Sequence, residues 1–226
     1  MLTKTIKLFI GIFFVSCLYC DIDNESWIGF ELNKNFTSKL DLEVSQNIRT
    51  NRENSSIHIY KTFTSIGLTY KVSDIIQLSS KYRYAFEFTP QDGYNSHRFD
   101  LDAKIDFEKI KNIRFFPSYR FRIQQKFDEK GNTQDLTIRN RFKHEYSLKN
   151  QFTPFTLFEF FHVFDNESLI YDKYRLGCGV EFEANENQAV IFTYLYESNL
   201  YYLESLSNYP LSYSTKIFSL KYKYSF

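Results

Sequence analysis

The stretch Ile76–Phe88, IQLSSKYRYAFEF, carries apolar or aromatic side chains at Ile76, Leu78, Tyr82, Tyr84, Phe86 and Phe88, and polar ones at Gln77, Ser79, Lys81, Arg83 and Glu87. Successive side chains of an extended chain point to opposite faces, so this stretch is a strand with one greasy face and one ionic face. The same two-residue period recurs in both directions from it. Leu40, Leu42, Val44 and Ile48 oppose Asp41, Glu43, Ser45, Asn47 and Arg49. Phe99, Leu101, Ala103, Ile105 and Phe107 oppose Arg98, Asp100, Asp102, Lys104, Asp106 and Glu108. Further along, Ile113, Phe115, Tyr119, Phe121 and Ile123 alternate with Arg114, Ser118, Arg120, Arg122, Gln124 and Lys126. Leu136, Ile138, Phe142, Tyr146 and Leu148 then face away from Arg139, Arg141, Lys143 and Glu145. Tyr174, Leu176, Cys178, Val180 and Phe182 face away from Lys173, Arg175, Gly177, Gly179, Glu181 and Glu183, and Val190, Phe192, Tyr194 and Tyr196 form another apolar face. Weaker strands are predicted at Trp27 to Asn35, at Ile57 to Tyr70 with a bulge near Ser65, and at Phe155 to Phe164.

Composition agrees with an all-β reading. The chain has 226 residues, with 25 Phe and 18 Tyr against one Trp and one Met, a balance that suits strands. Its 28 Lys and Arg nearly cancel 27 Asp and Glu, so no field argues for a nucleic-acid partner. A soluble sandwich would also alternate, with its charges outside. Segments of ten or more residues exceed ordinary globular strands and match those tilted through a bilayer, and the dense Tyr and Phe resemble aromatic girdles. The expected fold is therefore an antiparallel up-and-down transmembrane β-barrel of ten to twelve strands. Short turns near Thr37, Ser73, Lys111, Asn150 and Asn187 are expected to alternate with longer loops at Asn51 to Ser56, Thr89 to Ser96, Asp128 to Thr133, Asp165 to Ile170 and Ser198 to Ser214. Ten strands follow from Leu40 onward. Trp27 to Asn35 is left as an eleventh, which an even-numbered barrel would pair as an extra edge, fold inward, or match with a further strand.

Lys4 and Lys7 followed by the apolar run Leu8 to Cys20 read as a secretory signal peptide over residues 1–20, leaving residues 21–226 as one outer-membrane barrel domain. Cys178, with Cys20 depending on the cut, is too little for a disulfide framework. At the other end Phe218, Leu220, Tyr222, Tyr224 and Phe226 recur at every second position. They resemble the C-terminal signal read by the barrel-assembly machinery, which with outer-membrane lipid is an expected partner.

If Phe and Leu face lipid, then Asp100, Asp106, Arg114, Arg120, Arg122, Arg139, Arg141, Lys143, Glu145, Glu159, Arg175, Glu181 and Glu183 face the lumen as a charge network. Simple hairpin register across Lys109 to Lys111 would place Asp106 opposite Arg114 and Asp100 opposite Arg120, and a turn near Asn150 would place Lys143 beside Glu159. A small barrel filled in this way is plugged by ion pairs or leaves a narrow polar path, and a wide porin channel is not expected. Parity puts His144 and His162 on the lipid side. His97, just before a strand at the outer rim, is the one histidine suited to a hydrolase site. No catalytic constellation, metal-ligand spacing or cofactor motif stands out, so no cofactor or metal is expected.

The order of several short motifs is family-like: Leu40 to Arg49; Tyr82, Arg83, Tyr84; His97, Arg98; Arg120, Phe121, Arg122; Arg139 with Arg141; Phe158, Glu159, Phe160; and Arg175, Leu176, Gly177 with Gly179. Together they resemble the uncharacterised bacterial outer-membrane group catalogued as domain of unknown function 2490, over about Trp27 to Phe226. The chain departs from that pattern at Phe158, where a polar residue would precede the glutamate. The resemblance implies an outer-membrane barrel with no established activity. The expected role is a structural or surface component or a narrow pathway for an unidentified small solute. Alternatives are a rim hydrolase or lipid-modifying enzyme using His97, and an adhesin or receptor binding through Ser198 to Ser214.

Overall fold

The structure, a computed structural model, describes residues 24–53, 56–89, 92–107, 115–146, 148, 151–165, 168–199 and 214–226. The expected signal peptide, Arg114, the turn at Lys109 to Lys111 and most of the Ser198 to Ser214 loop lie outside the described residues. Eleven strands follow one another in chain order: β1 (Asn24–Asn35), β2 (Leu40–Glu53), β3 (Ser56–Lys71), β4 (Ile76–Glu87), β5 (Tyr94–Asp106) and β6 (Phe115–Asp128). They continue with β7 (Thr133–Tyr146), β8 (Phe152–Asp165), β9 (Ser168–Asn185), β10 (Gln188–Asn199) and β11 (Ser214–Ser225). Each pairs with its sequence neighbours and the sheet closes between β1 and β11. Closure gives every strand a partner on both sides, so no edge is left unpaired.

The predicted leftover strand is thus a full wall strand. It runs antiparallel to β2, with Trp27 opposite Arg49, and parallel to β11, from Asn24 beside Lys216 to Asn33 beside Ser225. Parallel pairing at one seam is what an odd number of up-and-down strands requires, and it puts Asn24 and Phe226 at opposite mouths of the barrel.

Several connections are tighter than the sequence suggested. β2 continues to Glu53 with β3 starting at Ser56, and β8 reaches Asp165 with β9 starting at Ser168. The described residues of those expected loops are strand because the ladder needs only backbone groups and tolerates polar runs such as Asn51–Glu53. At the opposite mouth, Thr37 Oγ1 accepts from the Lys39 and Leu40 amides, and Ser73 Oγ accepts from those of Ile75 and Ile76; both hydroxyls close turns by local hydrogen bonding. Between β6 and β7, Asp128 accepts from the Lys130 and Asn132 amides and Gly131 takes a φ of 81°.

The bulge in β3 is at Tyr60, not near Ser65. Arg49 pairs with Lys61 and the next residue, Thr50, with Ile59, so Tyr60 is the extra residue, whereas Ser65 pairs regularly with Ser45 and Arg83. The bulge re-aims the Tyr60 hydroxyl onto Glu25 Oε2 at 2.5 Å. A second bulge in β9 inserts Asp172 between Lys173, opposite Phe161, and Tyr171, opposite His162.

Polarity is inside out. Phe30, Ile66, Leu68, Leu78, Phe99, Leu101 and Leu176 are exposed on the outer surface, whereas Asp100, Arg122, Gln124, Glu159 and Arg175 are buried. Ring pairs cover the outside, among them Phe30 with Tyr222, Tyr119 with Phe142, and Tyr194 with Phe218.

Candidate functional site

The interior has two different walls. Along β8 to β11 and β1 it carries an apolar patch set among charged residues such as Arg175, Glu181 and Lys221: Phe155, Leu157, Leu195 and Ile217 form a buried cluster against which Trp27 and Ile191 pack. Glycines make room for it. A Cβ on Gly177 would sit 2.5 Å from Leu195 Cδ2, and one on Gly179 would sit 2.4 Å from the Phe192 carbonyl oxygen and 2.5 Å from the Phe155 ring. Along β4 to β7 the inner face carries charge instead. Arg122 and Asp102 face each other across β5 and β6, and Nε and Nη2 of the arginine donate to the two carboxylate oxygens at 2.5 Å each, the two-pronged geometry that guanidinium and carboxylate favour. Asp100, fully buried, accepts from Arg98 Nη2 at 2.9 Å and Gln124 Nε2 at 3.1 Å, and its Oδ2 lies 3.3 Å from Arg122 Nη1.

Glu159 joins the two walls. It lies on β8 opposite Arg141 of β7 and Arg175 of β9. Arg139 is bonded to it, with Arg141 Nε at 3.4 Å, Arg175 Nη1 at 3.7 Å and Arg120 Nη2 at 3.8 Å. Four cations share one carboxylate. Arg175 is bonded also to Glu197, which lies 3.3 Å from Lys173. The surrounding pairs include Lys81 with Glu43 at 2.5 Å, Lys221 with Glu31 at 2.9 Å, and Lys143 with Glu145.

The hairpin registers differ from those expected. Asp100 is opposite Gln124 rather than Arg120, and Asp106 is opposite Ser118. Lys143 is opposite Leu157, so its partner is Glu145, and Glu159 is matched with Arg141 instead. The slips are four residues and two residues. Even slips keep each side chain on its own face and change only its partner. Asp106 pairs with Lys104 at 2.8 Å near the barrel end. Glu181 lines the cavity, while Glu183 is exposed at the end of β9.

The charged side chains leave a cavity of about 660 Å³ within the lumen. Arg49, Arg83, Arg98, Lys81, Trp27 and Phe63 also line it, none of which the expected network contained. Strict parity would have found the charged ones, because Arg49, Arg83 and Arg98 share the ionic face of their strands. Phe63 and Phe155 on an interior face run against that pattern.

His97 lies within β5 on the outer surface. Its Nδ1 is 2.6 Å from the Tyr82 hydroxyl and its ring leans on Tyr84. Among the described residues, no group of three or more His, Cys, Asp or Glu gathers as a metal site.

The family model described as "Protein of unknown function (DUF2490)" matches residues 24–201. The chain belongs to this family. Among solved structures, the DUF2490 barrel is similar to the translocator domain of the autotransporter NalP from Neisseria meningitidis, at 11% identity, with 72% of this chain and 70% of that chain covered and a TM-score of 0.45. No curated protein matches it as a relative.

Proposed function

We propose that this DUF2490 protein resides in the outer membrane and provides a narrow path for small polar solutes through an otherwise filled lumen. The observation that carries this reading is the charged cavity of about 660 Å³ inside a closed barrel whose outer surface is apolar. An ionic interior needs water or counter-charge, and an apolar exterior is stable only against hydrocarbon. Export would use residues 1–20 as a signal peptide, and the barrel-assembly machinery would read Phe218, Leu220, Tyr222, Tyr224 and Phe226 on the lipid face of β11. The ion-paired side chains that project from the wall and narrow the lumen argue for low conductance.

Reconstitution of the purified chain in planar bilayers tests the proposal. Steady unitary currents well below those of a porin are expected. A silent bilayer, or a folded monomer soluble in water without detergent, overturns it. A His97→Ala variant with unchanged behaviour is also expected, since His97 faces outward; loss of a lipid-cleaving activity in that variant would support the rim-enzyme alternative instead.

A further inference from the structure

Most interior cations are neutralised where they stand, by Glu159, Asp100, Asp102, Glu197, Glu43 or Glu31. Arg49 and Arg83 are different. Neither has a carboxylate within 4 Å among the described residues. Arg83 Nε donates to Ser65 Oγ at 3.2 Å, and its guanidinium lies 3.9 Å from the centre of the Phe63 ring. Arg49 lies 3.9 Å from the centre of the Trp27 ring and 5.2 Å from that of Phe63. The two cations therefore flank one phenyl ring.

One carboxylate, Glu25, stands nearby, held by Trp27 Nε1 at 2.7 Å and the Tyr60 hydroxyl at 2.5 Å; the other charges directly opposite are of the same sign. Arg83 is directly opposite Arg98 across β4 and β5, and Arg120 with Arg141 and Arg122 with Arg139 are opposed across β6 and β7. Like charges placed opposite each other destabilise a strand pair; Asp100, Asp102 and Glu159 supply counter-charge to five of these six arginines, and among the described residues Arg83 is the one left without a carboxylate in reach. The cavity surface carries fourteen Lys and Arg side chains against five carboxylates, and with Asp100, Asp102, Glu31 and Glu197, which pair with some of those cations from behind, positive charge still predominates. Stacking on rings holds a guanidinium by its face and leaves the N–H edge for an acceptor.

Trp27 connects this positive corner to the apolar wall, since it stacks with Arg49 and packs against the cluster of Phe155, Leu157, Leu195 and Ile217. A ligand seated here meets cations at one end and rings at the other, in a volume suited to a small molecule. We propose that Arg49 and Arg83 form a lumenal site for a small organic oxyanion, a carboxylate or phosphate monoester whose compact apolar or aromatic body lies against Trp27 and the apolar wall. The site deepens the solute-pathway reading and rests on it for access from solvent.

Trp27 is the single tryptophan of the chain, so its fluorescence reports on the site directly. The full chain, folded in a non-ionic detergent, is titrated with phenyl phosphate, benzoate, inorganic phosphate and benzyl alcohol. Saturable responses are expected for phenyl phosphate and benzoate and not for benzyl alcohol. Binding should weaken about tenfold or more in Arg83→Gln and in Arg49→Gln, the loss of one charge-assisted hydrogen bond, and less in Arg83→Lys, which keeps the charge. Rising chloride should weaken binding to the unaltered chain, a readout that needs no variant to fold. Equal responses to benzyl alcohol and phenyl phosphate, no saturable response to either organic oxyanion, or unchanged affinity in both glutamine variants overturns the proposal. Inorganic phosphate binding as tightly as phenyl phosphate overturns the role given to the apolar wall. Conductance without binding removes this site and leaves the pathway, whereas binding in a protein that does not conduct removes the pathway and leaves the site.

Discussion

The two interior walls fill the same barrel by opposite means. On β4 to β7 the filling is long and ionic, with arginines that swing into pairing distance of Asp100, Asp102 and Glu159. In the apolar patch of β8 to β11 it is short-range and steric, with Leu157 and Leu195 lying over Gly177, and Phe155 over Gly179, while ion pairs such as Arg175 with Glu197 border the patch. An ionic wall tolerates small errors of shape and punishes a missing charge. An apolar wall does the reverse, because close-packed groups have nowhere to move. Glu159 is where the two rules meet, a carboxylate on the mainly apolar strand β8 holding arginines from β6, β7 and β9.

The contrast gives its largest effect at Glu159. Glu159→Gln leaves four interior arginines without their shared, buried anion and should lower unfolding stability by about 3–5 kcal/mol, as when one partner of a buried ion pair is removed. Urea titration followed by the mobility shift of the folded barrel on unheated gels measures it. Adding Arg141→Gln should recover part of the loss, and a double variant no better than the single one would show that excess positive charge is not the cause.

The steric side is probed by a pair of glycines. In Gly179→Ala the new Cβ meets backbone, the Phe192 carbonyl oxygen at 2.4 Å, so about 1–3 kcal/mol should be lost. In Gly67→Ala the nearest atom is Lys81 Cε at 3.0 Å, the flexible end of a side chain, and the change should stay within about 0.5 kcal/mol. Equal losses would erase the distinction between a compliant wall and a rigid one.

Outside both walls, Gly131→Ala meets nothing within 4 Å of its Cβ but must hold a φ of 81°. Its cost, about 1 kcal/mol, is pure backbone strain, and a larger loss would mean that the β6–β7 turn couples to the lumen. The smallest expected effect is a pH dependence in the same turn. Hydrogen bonds from Asn132 and from the Lys130 and Asn132 amides hold the Asp128 carboxyl below the usual carboxylate range. A lowered folded-state value stabilises the turn above the ordinary carboxylate range, and that contribution is lost as pH falls through the lowered value. Protection of the Lys130 and Asn132 amides, measured against their intrinsic exchange rates at each pH, should therefore fall only in acid, while protection in β6 itself is unchanged.

Face assignment was legible wherever the two faces of a strand differ in polarity. Ile76 to Phe88 and Arg98 to Asp106 declare theirs, and the structure places Arg83, Arg98, Asp100 and Asp102 inside. Strand β8 declares nothing, because Phe155, Leu157 and Phe161 point inward while Phe158, Phe160 and Phe164 point outward. An apolar wall inside an apolar-coated barrel has no period to read. Partners were less legible than faces, since a slip of two or four residues preserves the alternation that reveals the strand. The pairing of Asp100 with Arg98 and Arg122, and the sharing of Glu159 among four arginines, are set by the folded register and leave no mark on the alternation. Arg49 and Arg83 were visible as inward cations, but their lack of carboxylate partners is a property of register and not of sequence.

The parallel seam has a practical consequence for sidedness. An even number of strands returns the start of the first and the end of the last to one mouth, whereas eleven place Asn24 and Phe226 at different mouths, on different sides of the membrane if the barrel spans it as proposed. In the proposed outer-membrane setting, with the end of β11 facing the assembly machinery, an epitope fused just ahead of Asn24 would be stained on intact cells and one following Phe226 only after permeabilisation, so a doubly labelled molecule carries its own record of which way it was inserted.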